Sequence, residues 1–120
     1  LDLNVQHDRN PVFVRLSGGS IRNNFRVQVR NLDARPREVD LVIGGMPGAV
    51  AWADEGKREG ATDRISMTVS PDAVRKVRLF VAAPAKGPEK EDITISVVAR
   101  SGNEQGDSDS QSFERPAGGS

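Results

Sequence analysis

His7 follows Val5 on the odd-numbered side of LDLNVQH and is the one imidazole in the chain. Histidine titrates near neutral pH and can carry a proton or hold a metal, so it is the first residue to weigh for chemistry. No Cys, second His or carboxylate stands at ligand spacing from it, and no nucleophile elbow accompanies it. A metal site or a Ser-His-Asp triad therefore lacks its other members, and His7 reads as a packed or rim residue. Glu104, Asp107 and Asp109 in NEQGDSDS invite a calcium reading, because hard cations prefer oxygen ligands. Counted from Asp107, however, the sixth position is not Gly and the twelfth is Gly118, so the calcium-loop pattern fails and a solvated turn remains. Asp54, Glu55 and Glu59, interleaved with Lys57 and Arg58, read as a charged surface loop, since nothing near them promises the burial that separates an acid from a base. Met46 and Met67 are far apart in sequence and, with one His, make no convincing soft-metal set. Trp52 alternates with Val50 and, in a chain so poor in aromatics, is read as filling space between sheets.

The balance of charge excludes further classes. Seventeen basic residues face seventeen acidic ones, and no Lys/Arg block is long enough to follow a phosphate backbone, so nucleic acid is not an expected partner. Aromatic residues make up 4% and Tyr is absent, which leaves few stacking platforms for single-stranded nucleic acids or sugars. With no cysteine, these residues cannot form a disulfide, a thiolate nucleophile or a Cys-based zinc or iron–sulfur site. No apolar run approaches the roughly 20 residues of a bilayer span, so direct membrane insertion by this segment is not expected. No signal-peptide pattern is visible, and a chain beginning at Leu1 is expected to be a piece of something longer.

These side chains must be positioned by strands. Apolar residues recur with period two at Leu1, Leu3 and Val5, at Phe25, Val27 and Val29, and at Val39, Leu41 and Ile43. The pattern continues at Ile65, Met67 and Val69, at Val77, Leu79 and Val81, and at Ile93, Ile95, Val97 and Ala99. No comparable helical stripe appears. Between the runs lie Gly, Pro, Asn and Asp clusters that accept positive φ or fix φ near a turn value. About seven or eight short strands at such intervals predict an all-β, immunoglobulin-like antiparallel sandwich. The predicted strands are 1–7, 21–32, 37–44, 49–53, 64–69, 74–82, 91–100 and 108–114. One domain is expected over 1–114, with a flexible tail over 115–120.

The segment from Asp8 to Asn23 is either a reactive loop or the structural entry to this fold, and the absence of an obvious catalytic residue in it favours the entry. A two-residue turn at Gly18-Gly19 would set Leu16 opposite Ile21 and Val12 opposite Phe25, and would also oppose Arg15 to Arg22, a mildly unfavourable pair. Pro11 lacks an N–H and suits a break between the first strand and this short arm.

The run Arg9-Asn10-Pro11-Val12-Phe13-Val14-Arg15-Leu16, followed by Ser17-Gly18-Gly19-Ser20-Ile21-Arg22-Asn23, resembles the opening of the C-terminal immunoglobulin-like domain of the FixG (also called CcoG) family of cytochrome c oxidase accessory proteins. Gly45 to Gly48, GMPG, resembles that domain's Gly-Leu-Pro-Gly turn, and the strand from Phe25 to Asn31 is similar in ending on Asn. The resemblance runs through nearly the whole chain and is most specific in its first half. Gly18 stands where the family often has Asp, which removes a possible acid partner for Arg15 or Arg22. Residues 54–62 and 101–110 follow the family loosely.

The resemblance implies a parent membrane protein with transmembrane helices and iron–sulfur cysteine motifs, and this domain on the periplasmic side of the bacterial inner membrane. It also implies a part in assembly of cbb-type oxidase, through copper reduction. On that basis the chain is expected to be non-catalytic and cofactor-free, with the iron–sulfur clusters upstream. The expected contacts are the rest of its own chain, oxidase subunits or a copper carrier. The candidate interaction surface is Arg9, Asn10, Arg15, Arg22 and Asn23; no catalytic, cofactor-binding or metal residue is assigned. An alternative is a free-standing periplasmic sandwich that binds peptide or protein by strand addition at the 108–114 edge.

Overall fold

Alternating apolar side chains build nine strands in a computed structural model that describes residues 2–9, 11–46, 48–53, 64–99 and 105–116. They are β1 (Asp2–His7), β2 (Val14–Arg15), β3 (Ile21–Asn31), β4 (Arg37–Gly44), β5 (Val50–Ala53), β6 (Arg64–Val69), β7 (Ala73–Ala83), β8 (Lys90–Ala99) and β9 (Gln105–Glu114). One sheet has the order β1-β3-β7-β5, with β2 also paired to β3; the other has the order β6-β4-β8-β9. Every pairing is antiparallel. The result is the predicted all-β sandwich. Its interior is the predicted alternation: Phe25, Val27 and Val29 from β3 and Leu79 and Val81 from β7 meet Val39 and Leu41 from β4 and Ile93, Ile95 and Val97 from β8, each at most 1% exposed.

The first hairpin differs from its prediction by one residue. Val14 pairs with Arg22 and Arg15 with Ile21, because the loop is three residues rather than two. Leu16 N–H donates to the Ser20 carbonyl at 2.8 Å, Gly19 N–H donates back to the Leu16 carbonyl at 2.9 Å, and Gly19 takes φ +92°. A turn closed by a left-handed glycine is the usual three-residue hairpin solution. A one-residue slip reverses the side of every residue on the arm, so Arg15 and Arg22 do not oppose each other. Phe25 pairs with His7 of β1 instead of Val12.

Trp52 is also placed differently. It is buried at 9% exposure, yet it pairs with Phe80 and shares the outer side of the first sheet, while Ala51 points inward and is fully buried. The alanines of VAWA fit the space between sheets, and the indole packs on Phe80 with ring centroids 5.7 Å apart.

Candidate functional site

The core face of β3 is apolar at 21, 25, 27 and 29 and polar at 23 and 31, where Asn23 and Asn31 are buried. A buried amide must be hydrogen-bonded, and each of these bridges to the opposite sheet. Asn23 Nδ2 donates to the Glu114 carbonyl at 2.9 Å, and its Oδ1 accepts from Glu114 N–H at 2.8 Å. One side chain thereby satisfies both backbone groups of Glu114, at the end of the open edge of β9. Asn31 Nδ2 donates to the carbonyls of Arg35 at 2.8 Å, Val69 at 3.2 Å and Ser70 at 3.2 Å, and its Oδ1 accepts from Asp33 N–H at 3.0 Å. It thus fixes the β3–β4 turn and ties it to the end of β6.

Around Asn23 the sequence-selected residues divide. Arg9 Nη1 lies 3.1 Å from Glu114 Oε2, and His7 Nδ1 lies 3.4 Å from the same oxygen. The His7 ring stacks on Phe25 with centroids 4.7 Å apart and its Nε2 lies 3.2 Å from the Val12 carbonyl, to which the neutral ring donates. Burial lowers its pKa from the ordinary histidine value, outweighing the nearby Glu114 carboxylate. A neutral, stacked imidazole joining β1 to the Pro11 segment is a packing residue.

Arg9 and Asn23 therefore meet at Glu114. Arg22 points to the outer side of the first sheet, with Cζ 4.9 Å from the Phe80 ring centre. Arg15 is exposed and pairs with Ile21, on the other side from Arg22. Asn10 lies outside the described residues. The four described candidates do not form one patch.

The acidic candidates are put to structural use where they are described. Asp107 Oδ2 accepts from Leu3 N–H at 3.1 Å and Asp109 Oδ2 accepts from Gln111 Nε2 at 3.1 Å. Glu104 and the Asp54, Glu55, Lys57, Arg58 and Glu59 cluster lie outside the described residues. Met46 and Met67 are both in the core. Among the described residues no three His, Cys, Asp or Glu side chains gather as a metal site.

Two features escaped sequence reasoning. Arg115, assigned there to the tail, is buried at 6% exposure: its Nε donates to the Pro84 carbonyl at 2.9 Å, and Nη1 donates to the Pro88 carbonyl at 3.0 Å and Glu91 Oε1 at 2.9 Å. The second is a group of cations on the outer side of the first sheet. Arg22, Arg26 and Arg30 of β3 adjoin Lys76 and Arg78 of β7, with Arg26 directly opposite Arg78. The even-numbered positions of these cations in each strand, four apart in β3 and two apart in β7, were the available signal.

Residues 1–116 match the family model described as "IG-like fold at C-terminal of FixG, putative oxidoreductase". The chain is 42% identical over 84 residues to nitrogen fixation protein FixG of Rhizobium meliloti, covering 70% of this chain and 16% of that protein. It is 36% identical over 84 residues to protein RdxA of Cereibacter sphaeroides, covering 70% and 17% respectively. Against protein RdxB of the same organism it is 42% identical over 101 residues, covering 81% and 20%. The chain thus spans about a fifth or less of the length of these relatives. Among solved structures, that of a FixG-related protein from Vibrio parahaemolyticus matches with a TM-score of 0.77 at 16% identity, covering 95% of this chain and 94% of that one. The N-terminal domain of PorA matches with a TM-score of 0.56 at 18% identity, covering 88% and 84%. At these identities the structural likeness speaks for the fold.

Proposed function

We propose a contact-making rather than a chemical role for this chain, which belongs to the family of IG-like folds at the C-terminal of FixG. It acts as an interaction or stabilising module of a larger membrane-bound parent, on the periplasmic side, during assembly of cbb-type cytochrome oxidase. The observation that carries this reading is how the reactive side chains are used: His7 is stacked and buried, and Asn23 and Glu114 are consumed in joining sheets. The chain has no cysteine and so does not fit an iron–sulfur cluster. The parent's redox centres lie in the portion outside these residues.

Strand addition at 108–114 is the weaker reading. β9 is an edge strand, but β1 runs beside it: Gln111 Nε2 donates to the Val5 carbonyl at 3.1 Å, Asp107 accepts from Leu3 N–H, and Asn23 caps Glu114. Side chains thus occupy both facing edges where an added strand would bind.

The test is removal of residues 1–116 from the full-length parent. The proposal expects unchanged iron and acid-labile sulfide per chain and a reduced yield of assembled oxidase. Loss of the clusters, or unchanged oxidase, would overturn it.

A further inference from the structure

We infer that the outer side of the β1-β3-β7-β5 sheet is a docking surface for an acidic protein partner, an inference that rests on the proposed interaction role and names its contact face. Arg22, Arg26, Arg30, Lys76 and Arg78 project from the two central strands of this sheet. The chain as a whole is neutral, so the concentration of five cations here is a local choice. Arg26 and Arg78 stand directly opposite each other, a placement that costs stability in a sheet. Gln6, on the other side of Arg26, offers it no charge. Among the described residues the compensation is small: Asp8 lies 3.9 Å from Arg78, and Asp2 pairs in register with Arg30 without an ion pair. Among the described residues no carboxylate lies within 4.0 Å of Arg26, Arg30 or Lys76.

The cationic side chains, rather than the shape, suit carboxylates. A shallow depression between β3 and β7 is lined by Arg26, Val27, Gln28, Lys76, Val77 and Arg78, and a second, which includes Asp2, by Leu3, Asn4, Gln28, Arg30 and Val74. Four of the five cations are guanidinium groups, whose planar donor fork matches a carboxylate. Arg22 and Arg78 lie over Phe80 at 4.9 and 5.5 Å, which holds two of them in place before a partner arrives. Val50, 36% exposed, and Val74, 46% exposed, lie on the same side. Arginine, a covered aromatic and scattered aliphatics are the composition of a protein interface. An anionic membrane is the lesser fit, because Trp52 is 9% exposed and Phe80 is covered by two guanidinium groups, so neither ring is offered to the lipid boundary.

The 120-residue chain folds around its own core, and a solved chain of this fold is covered to 94% by it, so binding can be measured on the chain itself. The probe is a poly-L-glutamate peptide, with phosphatidylglycerol vesicles as the second arm. The expected result is peptide binding that weakens with salt and falls about tenfold or more in Arg26→Glu/Lys76→Glu, while the charge-matched Lys86→Glu/Lys90→Glu retains it. The milder Arg26→Gln removes one member of a repelling pair, so it should weaken binding without lowering the melting temperature. Absent peptide binding, equal loss in both charge-reversed variants, or preferential binding of the vesicles would overturn the inference. The functional reading would survive each of these, since it depends on the domain-removal result.

Discussion

Asn23 and Glu114 exchange two hydrogen bonds, at 2.9 and 2.8 Å, so that a side-chain amide pairs with the backbone of a strand in the opposite sheet. The family resemblance drew attention to Asn23 as part of an interaction surface. Its geometry makes it a clamp across the sandwich. Asn23→Ala would leave the outward N–H and carbonyl of Glu114 without this partner in a closed site. At about 1–2 kcal/mol per stranded group in this part-buried pair, a loss of about 2–4 kcal/mol is expected in urea denaturation at neutral pH.

Arg115 and Gly87 form a second locked pair. A Cβ on Gly87 would lie 2.7 Å from Arg115 Cζ, so the glycine makes room for the guanidinium. Arg115→Ala should cost about 1–3 kcal/mol through the carbonyls of Pro84 and Pro88. Gly87→Ala should cost less in the Arg115→Ala background than in the wild type, with a coupling of at least about 0.5 kcal/mol in a double-mutant cycle. Strictly additive costs would contradict the packing described.

His7 gives the fold a pH dependence of defined sign. Burial lowers its pKa in the folded state, so below the ordinary value of 6.5 the unfolded chain binds the proton more readily. The contribution of neutral His7 is fully present above that value and is lost as pH falls below it. Denaturant midpoints should therefore decline from pH 7 to pH 5, and His7→Gln should flatten that part of the decline.

Calcium should not stabilise the chain. Asp107 and Asp109 already accept hydrogen bonds from Leu3 N–H and Gln111. A ligand that binds the folded state raises its melting temperature, so an unchanged melting temperature in millimolar calcium is the expected result.

The architecture was legible because both sheets bury one side only, and period-two alternation reports that directly. Ile93, Ile95, Val97 and Ala99 are buried as their spacing demands, with Thr94, Ser96 and Val98 between them only partly so. The first hairpin departs from its predicted register by one residue because Ser17-Gly18-Gly19-Ser20 accommodates a two- or a three-residue loop, and the structure, with Gly19 at positive φ, takes the second. The size of Trp52 suggests a core position, whereas Ala51 and Val81 already fill that space and the indole lies on the outer side. Arg115 follows the last apolar residue and looks like tail; its partners, from Pro84 to Glu91, are 24 or more residues away in sequence. The cationic side was visible as spacing in each strand separately. That β3 and β7 are neighbours, which makes it one surface, is a property of the topology.

The central claim is that this chain contributes contacts, made through the cationic outer side of the β1-β3-β7-β5 sheet, and no redox chemistry. Its most direct measurement is the full-length parent carrying Arg26→Glu, Lys76→Glu and Arg78→Glu, assayed together for iron–sulfur content and for assembled oxidase. The account predicts clusters at the wild-type level with oxidase assembly clearly reduced. Wild-type assembly, or loss of the clusters from a parent whose C-terminal domain remains folded, would contradict it.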